Sequence, residues 1–168
     1  MKKILLALAV IFSATTANAE WHEVNNTDSM TNVTQYYLQT QGDANRKLPF
    51  PYHNAKSKIT YDCHSGEFYF YISADNLTGG DIGDGYRTYD LRVKFDDVLT
   101  EQKFIKGWDT PFLSPISGGK AARLGFAKRL KDTKEFLLEY SLYKIGSVVW
   151  TYDMSGFDET KCKAAKTN

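Results

Sequence analysis

The sequence has few of the residues that mark catalytic or metal centres. Its 168 residues include only two cysteines and three histidines. It contains no C-x-x-C pair, no G-x-S-x-G elbow and no H-E-x-x-H ligand pair. The missing C-x-x-C pair argues against a redox dithiol site. The other two absences argue against the common hydrolase and zinc-protease active sites. The sequence therefore predicts no metal and no cofactor.

Long apolar segments and an excess of one charge are also missing. The longest apolar run, residues 4–12, is shorter than the about 20 residues that a helix needs to span a bilayer. The chain has 21 basic and 20 acidic side chains, a formal charge of +1. A balance this even predicts no broad attraction to nucleic acid or anionic lipid. We expect no nucleic-acid partner. We also expect no integral membrane segment in the mature chain, which remains after the N-terminal segment described next is cleaved.

The first 19 residues have the three parts of a cleavable secretory signal peptide. Lys2 and Lys3 give a positive start, the apolar run follows, and Ala17-Asn18-Ala19 has the small-x-small pattern that signal peptidase cuts. Cleavage would leave one domain, residues 20–168, with 19 of the 21 basic residues against all 20 acidic ones, a formal charge of −1. The sequence predicts a periplasmic or secreted protein, and an uncleaved N-terminal anchor is the alternative.

Export to an oxidising compartment predicts that Cys63 and Cys162 form one disulfide. The bond would close a loop of about 100 residues. For a loop of that length the chain-entropy model gives roughly 4–5 kcal/mol, and about 2–4 kcal/mol is typical in practice. A redox role for these thiols is the alternative, and the missing C-x-x-C pair argues against it.

Alternation of apolar and polar residues predicts the strands. Two alternating segments flank the turn His64-Ser65-Gly66, which indicates a hairpin. The predicted strands cover residues 33–40, 58–63, 68–73, 89–95, 135–143 and 148–154. Six or so strands in hairpins predict a mainly β fold, an antiparallel β-sandwich or a partly open barrel.

Residues 120–131 are predicted to form one internal helix. Ala122, Phe126 and Leu130 recur at four-residue spacing, and Ser117 is the candidate N-cap. Residues 158–166 indicate a short C-terminal helix that carries Cys162. Segments rich in Pro, Gly and Asp predict loops over residues 46–55, 75–85 and 109–119.

Two segments have a composition that could bind ions. Carboxylates and carbonyls of residues 79–85 could face calcium, but the order of residues is not that of an EF-hand, and we interpret the segment as a flexible loop. An anion could sit at the predicted helix start, on the backbone N–H groups beside Ser117, Lys120 and Arg123. The alternative for these basic residues is a solvated face.

The three histidines are candidates for a general base. A Ser-His-Asp arrangement forms in space and not in sequence, so His22, His53 or His64 could serve a hydrolase. No recognisable motif accompanies any of them. We interpret all three as surface residues and assign no catalytic residue.

Short motifs follow one another through most of the predicted mature chain. They are Trp21 with Ser29-Met30 and Val33, Thr60-Tyr61-Asp62-Cys63, Phe68-Tyr69-Phe70, residues 91–96, Gly107-Trp108-Asp109, and Met154-Ser155-Gly156-Phe157 before the last cysteine. In this order the chain resembles the type VI secretion-associated TagO/VasI family of periplasmic proteins. The resemblance implies a β-sandwich envelope protein that works by binding, and it transfers no catalytic residues.

We therefore expect a non-enzymatic binding or accessory protein of the bacterial envelope, associated with a type VI-like secretion system. Its partner would be a protein in the envelope or a secreted one. Tyr and Trp are favoured interface anchors, so the candidate contact residues are Trp108, Asp109, Asp81, Asp84 and Tyr86.

Two other functions stay open at this point. One is a periplasmic inhibitor or immunity protein that blocks a wall-degrading enzyme. A loop that inserts a charged or aromatic side chain into the target cleft would mark it. The other is a cell-wall hydrolase, which a histidine in a cleft near a Ser, Asp or Glu would mark.

Overall fold

A computed structural model of the chain describes residues 20–73, 80–116 and 120–166. The predicted signal peptide, the loop residue Gly79 and the proposed helix cap Ser117 lie outside these ranges. Within them, no helix is long and apolar enough to cross a membrane.

Ten strands and one α-helix make up most of the described fold. The strands are β1 (His22–Thr27), β2 (Thr34–Ala44), β3 (Ser57–Asp62), β4 (Phe68–Ile72), β5 (Asp81–Gly83), β6 (Tyr86–Phe95), β7 (Val98–Gly107), β8 (Phe112–Pro115), β9 (Glu135–Leu142) and β10 (Gly146–Asp153). Helix α1 (Lys120–Lys131) lies between β8 and β9. The prediction of a mainly β, antiparallel fold with one internal helix is confirmed.

Eight of these strands form a closed antiparallel barrel. Their order around it is β2-β10-β9-β6-β7-β8-β4-β3, and β3 returns to pair with β2. The closing pairs run from Tyr37 with Asp62 to Gly42 with Ser57. The prediction of a sandwich or a partly open barrel is therefore corrected, because the sheet closes on itself. Alternation specifies which face a residue occupies, but not which strands meet.

Aromatic rings fill the barrel around Phe126 of α1. The centroid of its ring lies 6.1, 5.5, 6.0 and 6.2 Å from the centroids of Phe70, Phe95, Phe104 and Phe136. Those four rings come from β4, β6, β7 and β9. Helix α1 therefore covers one end of the barrel and inserts Phe126 between the strands.

Gly42 of β2 makes room for a second interior ring. A Cβ at this position would overlap the ring of Tyr152 on β10. The Tyr152 hydroxyl forms a hydrogen bond with Ser57 of β3 inside the barrel. Burial raises the pKa of Tyr152 well above its usual range, so this phenol stays neutral.

The predicted disulfide is present. Cys63, just after β3, is bonded to Cys162, and the two Cα atoms are 5.4 Å apart. The short C-terminal helix predicted to carry Cys162 is present as a 3-10 helix, Glu159–Lys166, with a break at Cys162. Phe157 packs edge-on against Trp21 and Tyr61 just before this segment.

A hydrogen-bonded cluster of Tyr61, Lys131 and Glu159 also joins α1 to the C-terminal segment. Tyr61 donates a hydrogen bond to Glu159 Oε1 at 2.5 Å, and Lys131 Nζ donates to Glu159 Oε2 at 2.7 Å. Burial acts to lower the pKa of Lys131, but its hydrogen bonds to Glu159 and Tyr61 outweigh that effect and raise the pKa. Lys131 is therefore charged at neutral pH, and it holds the end of α1 over Tyr61.

Four strands are not predicted by the sequence: β1, β5, β7 and β8. Strands β5 and β8 fall within the predicted loops 75–85 and 109–119, so these two predictions are wrong there. All six residues of β1 are exposed, and Phe104 is the one fully buried residue of β7. Neither strand has the apolar alternation by which a half-buried strand is recognised.

We predict that the double variant Cys63→Ser, Cys162→Ser has a free energy of unfolding about 2–4 kcal/mol lower than that of the oxidised chain. The reason is that the bond links residues 99 positions apart and so restricts the unfolded chain. The measurement is the urea midpoint at neutral pH. Equal midpoints for the two proteins would contradict the prediction.

We further predict that Phe126→Ala lowers the free energy of unfolding by about 3–5 kcal/mol, because it empties the centre of the aromatic cluster. Leu124→Ala is the matched control, since Leu124 lies on the exposed side of the same helix. Its effect should stay within about 0.5 kcal/mol. Chemical denaturation of both variants makes the comparison, and similar losses would count against the role given to Phe126.

Candidate functional site

The five predicted contact residues gather at one end of the fold. We call this surface the β5–β7 tip (residues 81–86 and 107–109). Tyr86 pairs with Gly83 in the β5–β6 hairpin and with Gly107 at the end of β7. The backbone N–H of Trp108 donates to the carbonyl of Gly85 at 3.1 Å. Residues more than 20 positions apart thus form one continuous surface.

The β5–β7 tip exposes large apolar side chains. Ile82 is 71% exposed, Trp108 50% and Tyr86 39%. The carboxylates of Asp81, Asp84 and Asp109 lie around them and are exposed too. The surface therefore combines three exposed apolar side chains with three exposed carboxylates, and Ile82 adds a side chain that the sequence prediction left out.

Local packing fixes the rings of the tip. The guanidinium of Arg87 lies 5.1 Å from the centroid of the Trp108 ring, which is a cation–π contact. A Cβ at Gly83 would lie 2.6 Å from Cζ of Tyr86, so the missing side chain lets that ring lie over β5. Gly85 has φ +78°, a backbone conformation that an L side chain rarely adopts.

Residues 81–85 of the tip belong to the glycine- and aspartate-rich segment that could face calcium. In the residues with described positions, no group of three His, Cys, Asp or Glu side chains could hold a metal ion. The tip is a surface of exposed side chains.

A second surface lies on the outer face of β1, β2, β3, β4 and β8. We call it the outer groove, and its volume is about 430 Å³. Six of its lining residues are Val24, Tyr37, Thr60, Asp62, Tyr69 and Phe112. The sequence analysis missed it. The available signal was that Tyr69 and Tyr71 occupy the outward face of the predicted hairpin, where polar residues are expected.

Thr60 is the unusual residue of the outer groove. It is 4% exposed, and its hydroxyl has no hydrogen-bond partner among the described residues. An unsatisfied buried hydroxyl costs about 1–3 kcal/mol. A bound group that hydrogen-bonds to Thr60 would recover part of that free energy.

A short turn joins the two surfaces. It runs from Trp108, in the β5–β7 tip, to Phe112, in the outer groove. The N–H of Thr110 donates to the carbonyl of Gly107 at 3.4 Å, and the N–H of Phe112 donates to Thr110 Oγ1 at 3.1 Å. The two surfaces therefore share one hydrogen-bonded segment of backbone.

A smaller cavity, of about 250 Å³, opens where β6 and β9 separate. Arg92 and Glu139 at its rim form an ion pair at 3.1 Å, so these charges satisfy each other. Tyr140 also lines it, and burial raises the pKa of its phenol far above the usual range. The tyrosine is therefore neutral, and the cavity offers less ligand chemistry than the outer groove.

The predicted anion site is described only in part. Ser117 and the side chain of Lys120 lie outside the described residues. Arg123 donates from Nε to Glu67 Oε1 at 3.1 Å. The Arg123 charge is therefore paired with a carboxylate of the β3–β4 hairpin.

The three histidines lie at separate exposed positions. His22 begins β1, His53 stacks on Phe50 with ring centroids 6.0 Å apart, and His64 lies in the turn between β3 and β4. The His53 ring is 2.9 Å from the side-chain amide of Asn54. In the described parts of the chain, no Ser, Asp or Glu side chain pairs with any of these imidazoles, as a triad requires.

Comparisons with known proteins do not assign a family. A scan against protein-family models, a search of curated proteins and a search of solved structures return no match. The resemblance to the TagO/VasI family thus stays a prediction from the sequence motifs.

Proposed function

We propose that the protein is exported to the periplasm or beyond and works there as a non-enzymatic binding protein. In this proposal the β5–β7 tip contacts a protein partner, and the chain serves as an accessory factor of an envelope machine such as a type VI-like secretion system. The observation that carries the proposal is the exposure of Ile82, Tyr86 and Trp108 on one surface. Aromatic anchors of this kind dominate the energetics of protein interfaces.

The chemistry of the tip defines the partner that would fit. Three apolar side chains need an apolar pocket, and they would lose water on binding. The exposed carboxylates of Asp81, Asp84 and Asp109 would favour a pocket with a basic rim, because complementary charge speeds association and excludes wrong partners. We therefore propose a partner with an apolar cleft surrounded by Lys or Arg.

The support beneath the tip favours a preformed contact surface. Strands β6 and β7 pair along their whole length, from Phe95 with Val98 to Tyr86 with Gly107. Side chains held on a rigid strand pair lose less conformational entropy on binding than side chains on a free loop. The predicted signal peptide and the Cys63–Cys162 disulfide fit an oxidising compartment.

A specific observation also favours the inhibitor hypothesis. The two-residue turn Asp84-Gly85 ends the β5–β6 hairpin and carries Tyr86 beside it. A narrow hairpin with an aromatic and an acidic side chain suits insertion into the cleft of a wall-degrading enzyme. The two hypotheses share the same contact surface and differ in the identity of the partner.

We predict that Trp108→Ala weakens partner binding about 30-fold or more, which corresponds to about 2 kcal/mol. The tagged chain is incubated with envelope extract, and captured proteins are identified by mass spectrometry. The captured protein is then purified, and its Kd for the wild-type chain and for each variant is measured by calorimetry. Tyr143→Ala is the matched control, because Tyr143 is an exposed aromatic residue at the β9–β10 turn, outside the tip.

The identity of the captured protein separates the two hypotheses. Secretion-system components would support the accessory role, whereas a wall hydrolase alone would favour the inhibitor. Equal Kd values for the Trp108 and Tyr143 variants would contradict both hypotheses in one respect: the tip would not be the contact surface.

A glycine pair tests whether the position of Tyr86 matters. Gly83→Ala should displace the Tyr86 ring and weaken partner binding while leaving the thermal unfolding midpoint nearly unchanged. Gly125→Ala is the control, because no described atom lies within 4 Å of a Cβ added there. It should keep wild-type affinity and raise the stability of α1 by about 0.5–1 kcal/mol. Wild-type affinity in the Gly83 variant would show that Tyr86 plays no part.

A further inference from the structure

We propose that the outer groove binds a neutral oligosaccharide, with one sugar ring stacked on Phe112 and a hydroxyl or acetamido group at Thr60. The proposal is independent of the protein partner, because it concerns different side chains on another face of the fold. It assigns the exported chain a second binding surface.

The register of the sheet places the groove residues in two rows. In the first row, Thr60 of β3 lies between Gln39 of β2 and Tyr69 of β4. In the second row, Tyr37 of β2 lies between Val24 of β1 and Asp62 of β3. Strand β1 extends the sheet outside the barrel, and its residues form one wall of the groove.

Aromatic rings form the other wall. The ring centroid of Phe112 is 6.3 Å from that of Tyr69 and 6.0 Å from that of Tyr71. Phe112 is itself exposed, although it lies on a strand between two partners. The apolar C–H face of a pyranose ring packs on such an aromatic surface, because it buries carbon on carbon while the sugar hydroxyls point sideways.

The polar groups of the groove match a ligand with many hydroxyls. The amides of Asn26 and Gln39 line the groove and can both donate and accept hydrogen bonds. Asp62 is oriented in advance, because its Oδ1 accepts the N–H groups of His64 at 2.8 Å and Ser65 at 3.3 Å. A few oriented polar groups on a mostly apolar surface are typical of small-molecule sites, whose volumes run from roughly 300 to 1,000 Å³.

Thr60 gives the groove a hydrogen-bonding group that no described residue uses. Its hydroxyl is buried at the floor and has no partner among the described residues, although valine would fill the same space without that polar atom. Buried polar atoms are nearly always hydrogen-bonded. A ligand hydroxyl or amide placed on the first row of the groove would supply the missing bond.

The charges of the groove disfavour an anionic ligand. Asp62 is its one carboxylate, and no Lys or Arg belongs to the lining that the structure describes. A phosphate or another anion would meet Asp62 without a compensating cation. Burial raises the pKa values of Tyr37 and Tyr69, so both phenols remain neutral. An extended peptide paired with β1 is the competing occupant, and the test below separates it from a sugar.

The test titrates chitotetraose and cellotetraose separately into the full exported chain by calorimetry. We expect at least one of them to bind with a Kd at or below about 1 mM. Phe112→Ala and Thr60→Val should each weaken that binding about tenfold. Thr60→Val keeps the shape of the side chain, so its thermal midpoint should not fall below that of the wild type. Phe50→Ala is the control, because Phe50 is exposed and lies outside the groove.

Three outcomes would overturn the proposal. One is that neither sugar binds at about 10 mM, a concentration that would saturate a site with a Kd of 1 mM. Another is that a sugar binds but both groove variants keep wild-type affinity. The third is that a hexapeptide of alternating threonine and valine binds in place of the sugars and is lost in Phe112→Ala. None of these changes the outcome expected for Trp108, so the two proposals fail separately.

Discussion

Closure of the sheet between β2 and β3 is the constraint on which the rest of the structure depends. A closed ring of eight strands has an interior of fixed width, and side chains must fill it. Phe126 of α1 packs against four rings in this interior. Gly42 has no side chain, and this leaves room for the ring of Tyr152. Because these rings occupy the interior, both surfaces that we propose for binding lie outside the barrel.

The two surfaces use the barrel in different ways. The β5–β7 tip lies where the β6–β7 ladder continues beyond the pairing of β6 with β9, and it presents exposed apolar side chains. The outer groove depends on β1, which widens the sheet beside β2 and creates a concave face. Exposed aromatic anchors suit a cleft in a protein, whereas a groove suits a small ligand.

Alternation in the sequence predicted the faces of the central strands and the bounds of α1. It could not predict β1 or β7, because most of their residues are at least partly exposed and alternation is then weak. Closure of the barrel could not be predicted either, since pairing between β2 and β3 depends on strand order.

Trp108 and Tyr86, which belong to the β5–β7 tip, were identified from residue type. The outer groove was missed because its residues come from five strands, and the solitary hydroxyl of Thr60 is evident only once its neighbours are known.

The turn from Trp108 to Phe112 gives the two surfaces a common backbone. Phe112 donates its N–H to Thr110 Oγ1, and the N–H of Thr110 is bonded to the carbonyl of Gly107 at the base of the tip. If sugar binding changes the affinity of the tip for its partner by some factor, thermodynamic linkage requires that the partner change the affinity for sugar by the same factor. The link between the two surfaces would then lie in five consecutive residues of backbone, while their contact side chains stay separate.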